Sequence, residues 1–189
     1  MVDLAMLQVV RDLVAIFGVI AGFSYYVLTV RNAQKARQTT TLMQLYQTRY
    51  DIEGTVRFWK LLALQWDDFE DYMERYGPVS KPEDVEVRAL FSAEGAFYDG
   101  LGIMLKKGIV DLDSVYSLFG VRCVMLWFKV ETLIQGLRTT STFGGGTALF
   151  ENFEYLADEM IRITKQRGQP LPVDLLHPTS KLHKEYSNP

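Results

Sequence analysis

The sequence predicts an all-α protein, in which an N-terminal transmembrane helix continues into a cytoplasmic bundle of about four helices. Three observations predict it. Leu13 to Val30 is a run without charge or proline. Beyond it, apolar residues recur at helical spacing in several long segments. No strand-like alternation of useful length interrupts them, and there is no internal repeat.

The run LVAIFGVIAGFSYYVLTV is about 18 residues long, so as a helix it measures about 27 Å. The hydrocarbon core of a bilayer is about 30 Å thick, which this length just spans. Arg11 and Asp12 bound one end, and Arg31, Lys35 and Arg37 follow the other. Tyr25 and Tyr26 fall where amphipathic rings favour the membrane interface. A cleaved signal peptide would want a shorter apolar region and a small-x-small site, which the residues after Tyr25 lack. An interfacial helix would show a polar face, and this run has none. A buried core helix is the remaining alternative.

The flanks give an orientation. Arg31, Lys35 and Arg37 have no acid nearby, whereas Asp3, Arg11 and Asp12 mix signs on the other side. The positive-inside rule then places the C-terminal domain in the cytoplasm, with Arg11 as the one cation on the outer flank. The three cations also suit contact with anionic lipid. Gly18 and Gly22 form a G-x-x-x-G pair, a spacing that lets two membrane helices approach closely.

No breaker occurs between Arg31 and Tyr50, and Leu42, Leu45, Tyr46 and Arg49 keep helical spacing. A second helix is expected over 52–76, with Val56, Trp59, Leu62, Ala63, Trp66, Phe69 and Met73 on its apolar face. Gly77 and Pro78 stop it. The third opens after Lys81 with Pro82 and the acids Glu83, Asp84 and Glu86, which suit a first turn. Lys106, Lys107 and Gly108 end it. Asp111 or Asp113 caps a fourth helix reaching about Leu137. Its stripe is Val115, Phe119, Cys123, Leu126, Val130, Leu133 and Leu137, widened almost all round by Met125, Trp127 and Phe128. Such a helix belongs at the centre of a bundle or at an oligomer interface. Arg122, Lys129 and Glu131 argue against a second span. A flexible loop is expected over 138–147, then a fifth helix over 148–167 with Phe150, Phe153, Leu156, Ala157, Met160, Ile161 and Ile163 as its apolar set. The domains are therefore 1–31, 32–167 and an extended proline-containing tail, 168–189.

Composition excludes several functions. The net charge is −3 and Trp66 to Asp71 is an acidic run, both against a nucleic-acid partner. One cysteine, Cys123, permits no intrachain disulfide, and His177 and His183 are too few for a Cys/His zinc site. On an apolar helix face, Cys123 reads as a small buried hydrophobe. Gly144 to Thr147 before a helix resembles a phosphate cradle. It lacks the strand and the Gly-Lys-Ser/Thr ending of a P-loop, so it reads as a linker.

Glu94, Asp99 and Glu131 sit among apolar residues, where a carboxylate can act as an acid or a base. Arg88, Arg122 and Lys129 are available as ion-pair partners, and ion pairing explains the acids without catalysis. Gly95, Gly100 and Gly102 each cost a helix about 1 kcal/mol. Close helix packing is one compensation, and a ligand groove along that face is the other.

The span, the following N-A-Q-K-A-R-Q, then Phe58-Trp59-Lys60 and the segment from Lys107 to Tyr116 resemble a widespread family of prokaryotic membrane-anchored helical proteins known only as a domain of unknown function. The likeness covers about residues 10 to 165. It implies an all-helical cytoplasmic domain, and it implies no activity and no site residues.

The expected role is a non-enzymatic interaction or scaffold module, or an accessory subunit of a membrane complex. Its partners would be membrane lipid and either further copies of the chain or other membrane subunits, without a cofactor. Gly18, Gly22, Met125, Trp127 and Phe128 are the candidate interface. Arg31, Lys35 and Arg37 are the candidate lipid contacts. The alternative is a membrane-tethered sensor of a small ligand, bound along the glycine-rich third helix.

Overall fold

The computed structural model describes residues 4–77, 82–140 and 146–175. The described residues form six α-helices: α1 (Leu4–Arg49), α2 (Ile52–Ala63), α3 (Phe69–Tyr76), α4 (Pro82–Lys106), α5 (Leu112–Thr139) and α6 (Glu151–Gln166). Short 3-10 turns cover Gly146–Ala148 and Val173–Leu175. No strand occurs among them. The chain divides into two compact units, residues 1–41 and 42–189.

The first unit is helical from Leu4 onward. Its large apolar side chains from Met6 to Val30 are exposed apart from a half-buried Val27, and none of its apolar window is buried. No face of this helix is buried, unlike the core helix of a soluble bundle. The helix is long and apolar enough to cross a membrane.

The second unit is built around α5. All seven residues of its predicted stripe are buried, and so are Tyr116, Gly120, Val124, Trp127, Phe128, Glu131 and Ile134. A helix buried on so many sides is the centre of its bundle. Asp111 caps it, its carboxylate accepting from the Ser114 amide at 2.8 Å. α4 ends at a left-handed Gly108 (φ 64°), where the Ile109 amide reaches back to the Met104 carbonyl. This closure needs a residue without a Cβ penalty.

The expected helix over 52–76 is two helices. Asp68 takes an extended conformation and accepts from the Asp71 amide at 2.8 Å, while Asp71 accepts from the Asp67 amide at 2.9 Å. This reciprocal cap starts α3 afresh. The turn swings Trp66 inward, where it meets Tyr72 edge-to-face at 5.3 Å and Lys129 Nζ lies 4.2 Å above its ring. The buried face of α2 also differs from expectation. Gly54, Phe58, Leu61 and Leu62 turn inward, and Val56, Trp59 and Ala63 do not.

α4 and α6 pack closely where Gly102 faces the Asn152 backbone. Arg138 ties the end of α5 to α6, donating to the Leu149 carbonyl and to Glu154 Oε2 at 2.8 and 2.6 Å. The tail expected from 168 is packed as far as 175: Leu171, Val173 and Leu175 lie on the core, and the Tyr116 hydroxyl donates to Gln169 Oε1. Pro78, Lys81, the side chains of Glu83 and Asp84, the loop 141–145 and the tail 176–189, including His177, Pro178 and His183, lie outside the described residues.

Candidate functional site

The last turn of α1 delivers an arginine into the helical domain. Arg49 follows Leu42, Leu45 and Tyr46 on the helix face that meets the core. It forms a buried ion pair with Glu94 of α4, whose relative exposure is 1%. The guanidinium also lies 4.4 Å from the centre of the Phe97 ring. Glu94 Oε1 and the hydroxyl of Tyr98, one turn along α4, have no hydrogen-bond partner among the described residues. Burial raises the Glu94 pKa, and Arg49, Arg57 and Arg122 pull against it.

Arg122 braces this corner. It stacks over Tyr50 at 3.8 Å and bonds the Arg49 carbonyl and Thr55 Oγ1. Tyr50 in turn donates to the Leu118 carbonyl at 2.8 Å. Glu94 is therefore paired, as expected for a buried acid, with Arg49 rather than with Arg88, Arg122 or Lys129 as its close ion-pair partner. Arg49 stood in the sequence at a core position of the helical stripe, and a cation there signals a buried anion.

Asp99 has a different use. The residue before α6, Phe150, is left-handed (φ 53°) and supplies no side-chain cap. Asp99 reaches across from α4 instead, its Oδ1 accepting from the Asn152 and Phe153 amides at 2.9 and 3.1 Å. A carboxylate at exposed helix amides is also favoured by the dipole. Asp99→Ala should therefore cost about 1–2 kcal/mol, and Asp99→Asn less. Urea denaturation of the two variants checks this; equal losses would mean that charge, not capping geometry, carries the effect. Glu131, the third acid, is buried in α5.

The glycine-rich face of α4 is not a groove. A Cβ on Gly95 would lie 2.6 Å from the Phe150 ring, and one on Gly102 would strike the Asn152 carbonyl. α6 and its leading turn thus fill the expected ligand face. Gly100 faces open space.

Among the candidate interface residues, Trp127 and Phe128 are 2% and 1% exposed and belong to the chain's own core. Trp127 meets Phe153 of α6 edge-to-face at 5.1 Å. The apolar girdle of α5 is satisfied by α6 and its neighbours, so neither residue is open to a second chain. Met125 is half-buried against the same core. Gly18 and Gly22 have nothing within 4 Å of a would-be Cβ. Arg31, Lys35 and Arg37 are exposed. Burial pushes the Cys123 thiol well up, which keeps it protonated and unreactive.

Two surface features were not anticipated. The outer face of α2 carries Ile52, Val56 and Trp59 at helical spacing, and Ile52 and Trp59 are 86% and 52% exposed. Val56 also borders an open groove of about 460 Å³ floored by Ala89, Leu90 and Ala93. Its rims hold the Glu53–Arg57 and Lys60–Glu86 ion pairs. Separately, a cavity of about 230 Å³ lies between α3, α4, Leu137 and the Leu149–Phe150 turn. Among the described residues, no group of three His, Cys, Asp or Glu side chains is placed to hold a metal ion.

The fold defines a class: an all-helical domain in a chain whose first helix is long and apolar enough to cross a membrane. Within it, the chain belongs to the family described as Domain of unknown function (DUF4760), which matches residues 12–160. That match takes in the apolar run and most of the helical domain. No curated protein and no solved structure matches the chain.

Proposed function

We propose that this protein is a membrane-anchored, non-enzymatic interaction module that holds its helical domain on the cytoplasmic side and works as a scaffold or as an accessory subunit of a membrane complex. One observation carries the reading: none of the apolar side chains of α1 from Met6 to Val30 is buried and nearly all are exposed, while those of the helical domain are largely packed. Exposure of that much apolar surface is costly in water and favourable in lipid. Arg31, Lys35 and Arg37 beyond the apolar run suit the anionic inner leaflet.

Two surfaces are suited to protein partners. Gly18 and Gly22 would let another membrane helix approach. The exposed Ile52, Val56 and Trp59 give the domain an apolar face of the kind found at interaction sites. Two of the acids set among apolar residues have structural partners, which supports this reading: Glu94 is paired with Arg49, and Asp99 caps α6.

The test is the mass and composition of the particle extracted from native membranes in mild detergent. A particle larger than one 21.7 kDa chain is expected, holding either further copies or other polypeptides. Trp59→Ala or Val56→Asp should shrink it without lowering the unfolding temperature, and Gly22→Leu should do the same if the membrane helix makes the contact. A monodisperse single chain, with nothing bound in native membranes, would overturn the reading.

A further inference from the structure

We propose that a single water molecule, buried beside the last turn of α1, bridges the Tyr98 hydroxyl and the Glu94 carboxylate. Both groups are sealed from solvent: Glu94 is 1% exposed and Tyr98 0%. Glu94 Oε1 and the Tyr98 hydroxyl stand one turn apart on α4, and neither has a hydrogen-bond partner among the described residues. A buried polar atom without a partner is costly, and native interiors satisfy such atoms with protein groups or with ordered water. The phenol cannot turn elsewhere to find one. Its ring stacks on Phe153 at 5.2 Å and meets Phe97 edge-to-face at 5.1 Å, and its oxygen lies on the axis about which the ring flips.

The surroundings select water over other occupants. A buried water needs at least two polar partners. Glu94 Oε1 accepts, the Tyr98 hydroxyl donates or accepts, and Arg49 Nη2, whose ion pair with Glu94 engages one N–H, has a second N–H to give. A metal ion is disfavoured because Arg49, Arg57 and Arg122 all act on this carboxylate. An anion is disfavoured by the carboxylate itself. The aromatic packing on Tyr98 favours the smallest molecule that can form hydrogen bonds. A water that donates to Oε1 also supports the charged form of Glu94 beside Arg49, against the burial that opposes it. The joint between the end of α1 and α4 is then a hydrated polar site rather than a dry ion pair. It needs no protein partner, so it stands or falls separately from the interaction role.

Radiolytic hydroxyl-radical labelling in isotopically labelled water tests this, with the full-length protein in mild detergent and mass spectrometry as the readout. A radical made in place from a bound water attacks the side chain beside it before it diffuses away. A fully buried residue is therefore labelled quickly only where a water sits. Tyr98 should take up label severalfold faster than Phe128, a comparably reactive ring that is 1% exposed. Tyr98→Phe gives a second readout, because its sign separates the two cases. Removing a water-bridged hydroxyl should lower the unfolding temperature by about 2–4 °C, the shift that one hydrogen bond gives in a chain of this size. Removing an orphaned hydroxyl should raise it. Should Tyr98→Phe fail to fold, the labelling alone decides the matter. Labelling of Tyr98 no faster than of Phe128, or a Tyr98→Phe variant at least as stable as the wild type, would each overturn the assignment.

Discussion

Glu94→Ala is expected to destabilise the helical domain by about 3–5 kcal/mol, the usual cost of removing one partner from a buried ion pair. Arg49 would be left charged at every accessible pH, because a guanidinium does not give up its proton in a protein. The Phe97 face offsets only part of that cost. Arg49→Met should behave differently. Glu94 can neutralise itself by taking a proton, and burial already raises its pKa. The loss in Arg49→Met should therefore be small in mild acid and grow as the pH rises, even though Arg57 and Arg122 continue to favour the charged form. The loss in Glu94→Ala should instead shrink as the pH rises, because the variant lacks the Glu94 titration that weakens the wild type.

The wild-type protein carries the same sign. A carboxyl whose folded pKa lies above its unfolded value binds its proton more tightly when folded. Its contribution is full below the ordinary carboxylate pKa and declines as the pH rises through the window up to the raised value. Subtracting the pH profile of Glu94→Gln from that of the wild type isolates this component. Urea unfolding of full-length protein in mild detergent at a series of pH values reads all three effects. A flat profile for Arg49→Met would mean that Glu94 stays ionised without its partner. The double variant Arg49→Met/Glu94→Leu should recover most of the loss, since an apolar pair of similar volume replaces a buried ion pair at little cost.

Sequence periodicity found most of the elements. The α5 stripe from Val115 to Leu137 is buried at every expected position, in a helix buried on nearly every side. α2 has two apolar faces, Gly54-Phe58-Leu61-Leu62 and Ile52-Val56-Trp59, both at helical spacing. Periodicity cannot choose between them; the inward one is set by the neighbours it meets. The break before α3 was legible in principle, because Asp68 and Asp71 stand three apart ahead of Phe69 and Tyr72. Read as a charged surface run, they concealed a cap. Asp99 was beyond reach of local reasoning, because the amides that it caps lie 53 and 54 residues away. The fate of Trp127 and Phe128 was likewise undecidable from α5 alone. A helix apolar all round fits a bundle centre and an oligomer interface equally, and α6 supplies the distinction.

Glycines on α4 give the second large effect, and a sharp contrast. Gly102→Ala is expected to cost about 3 kcal/mol, at the upper end of the range for overpacking. The new Cβ would strike the carbonyl of Asn152, which is backbone and cannot swing aside. α6 must then shift away from α4, and the bonds from the Asn152 and Phe153 amides to Asp99 lengthen with it. Gly100→Ala, two residues earlier, meets open space. It should stabilise by up to about 1 kcal/mol through helix propensity alone. Gly95→Ala falls between the two, since its obstacle is the Phe150 ring, a side chain that can turn. The two flanking variants, Gly100→Ala and Gly102→Ala, make the same chemical change in the same helix. Their difference therefore measures contact with α6 and not glycine content. Thermal unfolding of the pair reads it directly. An equal gain in both would show that α4 and α6 stand further apart than the Gly102–Asn152 contact allows. A loss in Gly102→Ala that Asp99→Ala makes no worse would show that the cap and the close approach act as one unit, because a helix already displaced has no cap left to lose.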